Sequence, residues 1–240
     1  KMIHFERISI GHQNYLMREL TFNSAIRIAK TASDKIEQRL TVFLQDILAD
    51  AELPLRMTVQ ERYFLLLSYL NVQQGTILDV QQDVSSYLIT DSKAWQTEYT
   101  RAAITVRQLT GYDAELLEKH CTNIADWMAA SMAIQLFDAD SEMPPLAHND
   151  MSEEERQQRF FERLEFFKDL TVSGLERYYA LLRLGNEQLE SLVRLSYDSQ
   201  GIVLRGADDA PCRFCPSSTF YGIIGQLDGY FNQQGASTSQ

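Results

Sequence analysis

Four times along this chain a Ser, Thr or Asp stands three residues ahead of a Glu, just before residues that become apolar every third or fourth place. That spacing lets a capping side chain and a glutamate satisfy backbone N–H groups left open at a helix start, so it predicts helices. Asp34 with Glu37 opens a stretch whose Ile36, Leu40, Phe43, Leu44, Ile47 and Leu48 share one face. Thr58 with Glu61 opens a helix to about Asn71 that is apolar nearly all round, through Val59, Tyr63, Phe64, Leu66, Leu67 and Leu70. A helix of that kind packs on at least two sides. Its expected neighbour is the helix of Leu40, Phe43 and Ile47, joined through Pro54, while Gln60 and Ser68 are expected to matter little. Ser152 with Glu155 opens a third helix, carrying Phe160, Phe161, Leu164 and Phe167. Ser173 with Glu176 opens a fourth with Leu175, Tyr178, Tyr179 and Leu182, after which Gly185-Asn186 reads as a stop and restart.

A long acidic helix is expected over 113–137, with Leu116, Leu117, His120, Cys121, Ile124, Trp127, Met128 and Met132 at helical spacing, and a last helix over 217–231. Strand signals are short: 5–10, 76–80, 103–109 and 202–205. The expected fold is mostly α, a multi-helix globular fold with a small β element. Four regions follow: an N-terminal helical region over 1–137, an exposed acidic linker over 138–150 containing Pro144-Pro145, a C-terminal helical region over 151–231, and a flexible polar tail over 232–240.

Charge narrows the partners. The 240 residues hold 22 Lys and Arg against 33 Asp and Glu, a net charge of −11. A nucleic-acid binder must neutralise phosphates with Lys and Arg, so nucleic acid is a poor partner. Residues 113–155 hold eleven of the acids and Lys119 as the single base. No apolar run approaches the roughly 20 residues needed to span a bilayer, and the first residues do not read as a signal peptide. A protein made in the cytoplasm is expected.

Short catalytic motifs are missing. There is no Gly-x-Ser-x-Gly elbow, no phosphate loop, no Gly-x-Gly-x-x-Gly and no His-Glu-x-x-His, and the histidines at 4, 12, 120 and 148 are scattered. No catalytic residue is assigned. Asp138, Asp140 and Glu142 begin like a calcium loop, but Met143 stands where glycine is needed and Asn149 where glutamate is. The most specific local feature is Cys212-Arg213-Phe214-Cys215, because Cys-x-x-Cys can present two thiolates to one tetrahedral zinc. The two further ligands would be Cys121 with His120 or another histidine. The competing reading packs Cys212 and Cys215 around a turn and leaves His120 and Cys121 in a helix's apolar stripe. A redox role lacks the surrounding βαβ pattern.

Asn14-Tyr-Leu-Met-Arg-Glu-Leu-Thr-Phe-Asn-Ser-Ala-Ile-Arg-Ile-Ala29, Glu37-Gln-Arg-Leu-Thr-Val-Phe-Leu44 and Thr58-Val-Gln-Glu-Arg-Tyr-Phe-Leu-Leu-Leu-Ser-Tyr-Leu70 resemble tail and baseplate hub proteins of tailed bacteriophages. The resemblance covers about the first 70 residues, with a vaguer echo over 212–225. It implies a structural or assembly component of a virion tail, not an enzyme, that binds other tail proteins and forms oligomers in the assembly. The alternative is a small metal-supported binding or redox protein centred on Cys212 and Cys215.

Overall fold

The computed structural model describes residues 3–74, 84–90, 93–148, 151–209 and 211–213. Of these, 52% are helical and 16% lie in strands. Helix dominates as expected, but the β part amounts to three small antiparallel sheets, a mixed α/β composition. The expected strand at 76–80, helix at 217–231 and tail at 232–240 lie outside the described residues.

The chain opens with a hairpin of β1 (Ile8–Ile10) and β2 (Gln13–Tyr15), followed by α1 (Phe22–Lys30), α2 (Ile36–Leu48), α3 (Leu53–Arg56) and α4 (Val59–Gln74). A second sheet has the order β3 (Glu98–Arg101), β4 (Ile104–Arg107), β5 (Leu136–Asp138), with α5 (Gly111–His120) and α6 (Ile124–Gln135) between its last two strands. Then come α7 (Glu153–Lys168), α8 (Val172–Leu189) and a third sheet of β6 (Leu195–Asp198), β7 (Gly201–Arg205) and β8 (Pro211–Cys212).

Helix α4 is the centre, as its apolar circumference requires. Leu65, Leu66, Leu67, Tyr69 and Leu70 have no exposed surface. The capping box at its start forms: Thr58 N donates to Glu61 Oε2 at 2.8 Å, and Glu61 N donates to Thr58 Oγ1 at 3.2 Å. The unoccupied Glu61 oxygen takes the Tyr15 hydroxyl at 2.7 Å, tying the first hairpin to this helix. Burial extends to Gln60, Glu61, Arg62 and Gln73 of α4, which corrects the expectation for Gln60. Its amide donates to Val193 O and its carbonyl accepts from Leu192 N and Val193 N, so one side chain holds the strand-like segment before β6.

The box at Ser152 also forms. The other two do not. Helix α2 starts after Lys35, and no side chain of its own segment caps it. Glu118, from α5, accepts from the Glu37 and Gln38 N–H groups instead, and Glu37 turns inward. Helix α8 starts at Thr171, which accepts from Gly174 N, two residues ahead of the expected cap.

The expected helix over 113–137 is two helices. Asn123 accepts from Asp126 N and opens α6, while Asp126 accepts from the Thr122 N–H and hydroxyl, so Cys121 to Asn123 form a corner. Gly185 does not stop α8, which runs through it. The backbone there lies against β4 so closely that a Cβ would come within 2.5 Å of the Val106 side chain, and only glycine fits. Segment 138–148 exposes Ala139, Asp140, Glu142, Pro145 and His148 but is anchored at two points. Asp138 is buried and accepts the Tyr178 hydroxyl at 2.9 Å, and Met143 is buried. One cluster of buried side chains runs from Ile3 to Leu204, across both sides of this segment.

Candidate functional site

The proposed metal ligands sit in different surroundings. His120 ends α5 with its ring 5.0 Å from that of Phe161, edge-on, and 6.0 Å from that of Phe160. Burial, then the charge of Lys119, lowers its pKa, which favours the neutral ring. Its Nε2 is buried without a hydrogen-bond partner. Cys121 caps the C-terminus of α5, and burial, reinforced by Asp126, pushes its thiol up to about 12, which favours the neutral thiol. Cys212 pairs with Leu204 in the third sheet and is half-buried. Cys215 lies outside the described residues. Among the described residues no three of His, Cys, Asp and Glu are grouped to hold a metal. In the calcium-like stretch, Asp138 already accepts from Tyr178 and from Asp140 N, so its carboxylate is committed to the fold.

A concavity lies elsewhere, walled by α5, the end of α6 and α7 together with Arg107 of β4. It is a cavity of about 290 Å³. Helix α7 sends Arg156, Arg159 and Arg163 into its wall, at a spacing of three and four residues that aligns them on one face. β4 adds Arg107 and α5 adds Lys119. Leu55, Leu116, Ile134 and Phe160 supply apolar wall.

Each guanidinium is held in a different way. Arg107 donates through Nε to Ile134 O at 2.9 Å and through Nη1 to Ala147 O at 2.8 Å, and its Nη2 lies 3.4 Å from Asp113 Oδ1. Arg156 stacks 3.8 Å above the centre of the Tyr112 ring. Arg159 pairs with the exposed Glu162 at 3.4 Å. Arg163 is 1% exposed and donates to the carbonyls of Ala133, Leu136 and Pro144, with Nη2 3.3 Å from Met143 Sδ. Burial, then the like charges of Arg107 and Arg159, holds its pKa below the ordinary arginine value. Among the described residues no carboxylate lies in ion-pair reach of it.

None of these arginines is singled out by the sequence reading. The spacing of Arg156, Arg159 and Arg163 was the available signal, but amid the glutamates of α7 it looks like a solvated face. Arg107 joins them only through tertiary packing.

The aromatic residues of α7 and α8 divide. Phe160, Phe167 and Tyr178 are buried, whereas Phe161 and Tyr179 are 38% and 40% exposed. Leu16 and Phe22, near the first hairpin, are 59% and 57% exposed. Among the described residues no helix is long and apolar enough to cross a membrane. Compared with protein-family models, curated proteins and solved structures, the chain matches none.

Proposed function

We infer that this protein is a binding and assembly component of a bacteriophage tail or baseplate, made in the host cytoplasm and carried in the virion. It acts by holding other tail proteins in fixed geometry, and on this reading none of its residues makes or breaks a bond in a substrate. The observation that carries the reading is the exposure of Leu16 and Phe22. Both lie in the stretch 14–29 on which the resemblance to tail hub proteins rests, and each presents more than half of a large apolar side chain to solvent. A partner that covered these two side chains would take their apolar surface out of water. The net charge of −11 favours protein over nucleic acid as that partner.

The test is co-expression with the products of neighbouring genes, followed by sizing of the complexes and mass spectrometry of purified particles. A stable complex is expected, with an interface above about 1,200 Å² in total. Leu16→Glu with Phe22→Glu should abolish it while leaving the monomer folded, because neither side chain is in the core. A chain that stays monomeric with every such product and is missing from particles overturns the reading.

A further inference from the structure

We propose that the cavity between β4, α5 and α7 is a binding site for a small oxyanion with a compact apolar body, a phosphate ester or a carboxylate, gripped by Arg107, Arg156 and Arg159 with Arg163 behind them.

The charge balance of the cavity runs against that of the molecule. Five basic side chains meet there with three acids, Asp113, Glu115 and Glu153, in a chain where acids outnumber bases by 33 to 22. Two of the three acids have other work. Asp113 accepts the Thr110 N–H and hydroxyl at the start of α5 and only then faces Arg107 at 3.4 Å. Glu115 takes the Thr41 hydroxyl, and its burial disfavours the charged form. Glu153 stands exposed in the first turn of α7. Among the described residues Arg156, Arg163 and Lys119 have no ion-pair partner, and the positive charges on one face of α7 repel one another. A bound anion would relieve that repulsion.

Geometry adds to charge. Arg107 is fixed by two carbonyls and Arg156 by the Tyr112 ring, so their N–H forks are arranged before a ligand arrives and little freedom is lost on binding. Such forks match the paired oxygens of phosphate and carboxylate. Arg163, withdrawn from water behind them, adds a charge that solvent screens poorly. The volume stands at the lower end of small-molecule sites, and Leu116, Ile134 and Phe160 give an apolar body something to lie against.

Calorimetry on the full chain at low salt, with inorganic phosphate, phenyl phosphate and benzoate as probes, decides the matter. Saturable one-site binding is expected, tighter for phenyl phosphate than for phosphate and weakened by salt. Stronger binding of phenyl phosphate than of benzoate assigns a phosphate ester, and the reverse order a carboxylate. Arg156→Gln and Arg159→Gln should each weaken the favoured probe by about tenfold or more. Lys168→Gln, at the far end of α7, should not. If either arginine variant lowers the melting temperature, Lys119→Gln, on an exposed side chain, provides the same comparison. No saturable binding up to about 10 mM, or equal affinity in the wild type and the variants, overturns the proposal.

Discussion

Three described arginines, Arg39, Arg62 and Arg163, are almost wholly buried, and the last two are compensated in opposite ways. Arg62, on α4, faces Glu37 Oε2 at 3.1 Å and also donates to Glu37 O, Thr41 Oγ1 and Pro54 O. The same carboxylate takes the Tyr63 hydroxyl at 2.6 Å. The backbone of α5 closes over this cluster at Gly111, where a Cβ would fall 2.3 Å from Pro54 O, so the unit has no room for anything else. Arg163, on α7, has carbonyl oxygens around it and, among the described residues, no acid, and it borders a cavity. Carbonyl dipoles solvate a charge but do not cancel it. A closed pair builds a core, whereas an open charge beside a cavity leaves a field that a ligand can use.

The comparison breaks first at Glu37. Removing one partner of a buried pair strands the other, so Glu37→Ala should cost about 3–5 kcal/mol in urea denaturation. A loss below about 1 kcal/mol would show that the carbonyls alone satisfy Arg62, as they do Arg163. Gln60→Ala is the uncharged control on the same helix. It removes three hydrogen bonds to residues 192 and 193 and should cost about 2–3 kcal/mol, well above Ser68→Ala. Arg163→Met leaves carbonyls unpaired but also removes a desolvated charge, so about 1–2 kcal/mol is expected. A loss equal to that of Glu37→Ala would erase the distinction between the two sites.

The acids around α2 sharpen the contrast through pH. Burial, and then the charge of Glu37, raises Glu118 from 4.5 to about 7 although two N–H groups pull it down. An acid raised in the folded state contributes stability that is whole below its unfolded value and lost as pH rises through the folded one. Denaturation midpoints should therefore fall between pH 4.5 and 7, and fall less in Glu118→Gln, which keeps a cap acceptor without the titration. An unchanged slope would count against the burial of this carboxylate. The smallest effect concerns metal. Since no three of His, Cys, Asp and Glu are grouped to hold a metal among the described residues, a chelator should leave the melting temperature where it is. A clear drop, lost again in Cys215→Ser, would restore the zinc reading.

Local chemistry made the helix starts at Thr58 and Ser152 legible, because a capping box spans four residues and closes little chain. The same signal with aspartate at the third place stands at Thr110 with Asp113 and at Asn123 with Asp126, and a pattern built on glutamate passes over both. The break in the expected helix over 113–137 was thus written in the sequence in a variant form. Gly185 was misleading for a different reason. Glycine signals either a stop or a close approach, and only the position of Val106 tells which. The candidate site was almost illegible, since Arg107 lies 49 positions before Arg156 and nothing local links them.

By itself the sequence determined the helical character of the chain, the central place of α4 and two of its helix starts. It could do so because apolar periodicity and caps act within a few residues, where chain entropy hardly opposes them. Tertiary structure decided how α2 is capped, since the carboxylate that does it comes from α5, 81 positions away. It decided that Gln60 is a lock and that Arg163 lacks an acid. These outcomes depend on which groups lose water together, and a buried polar group finds its partner only when distant segments meet.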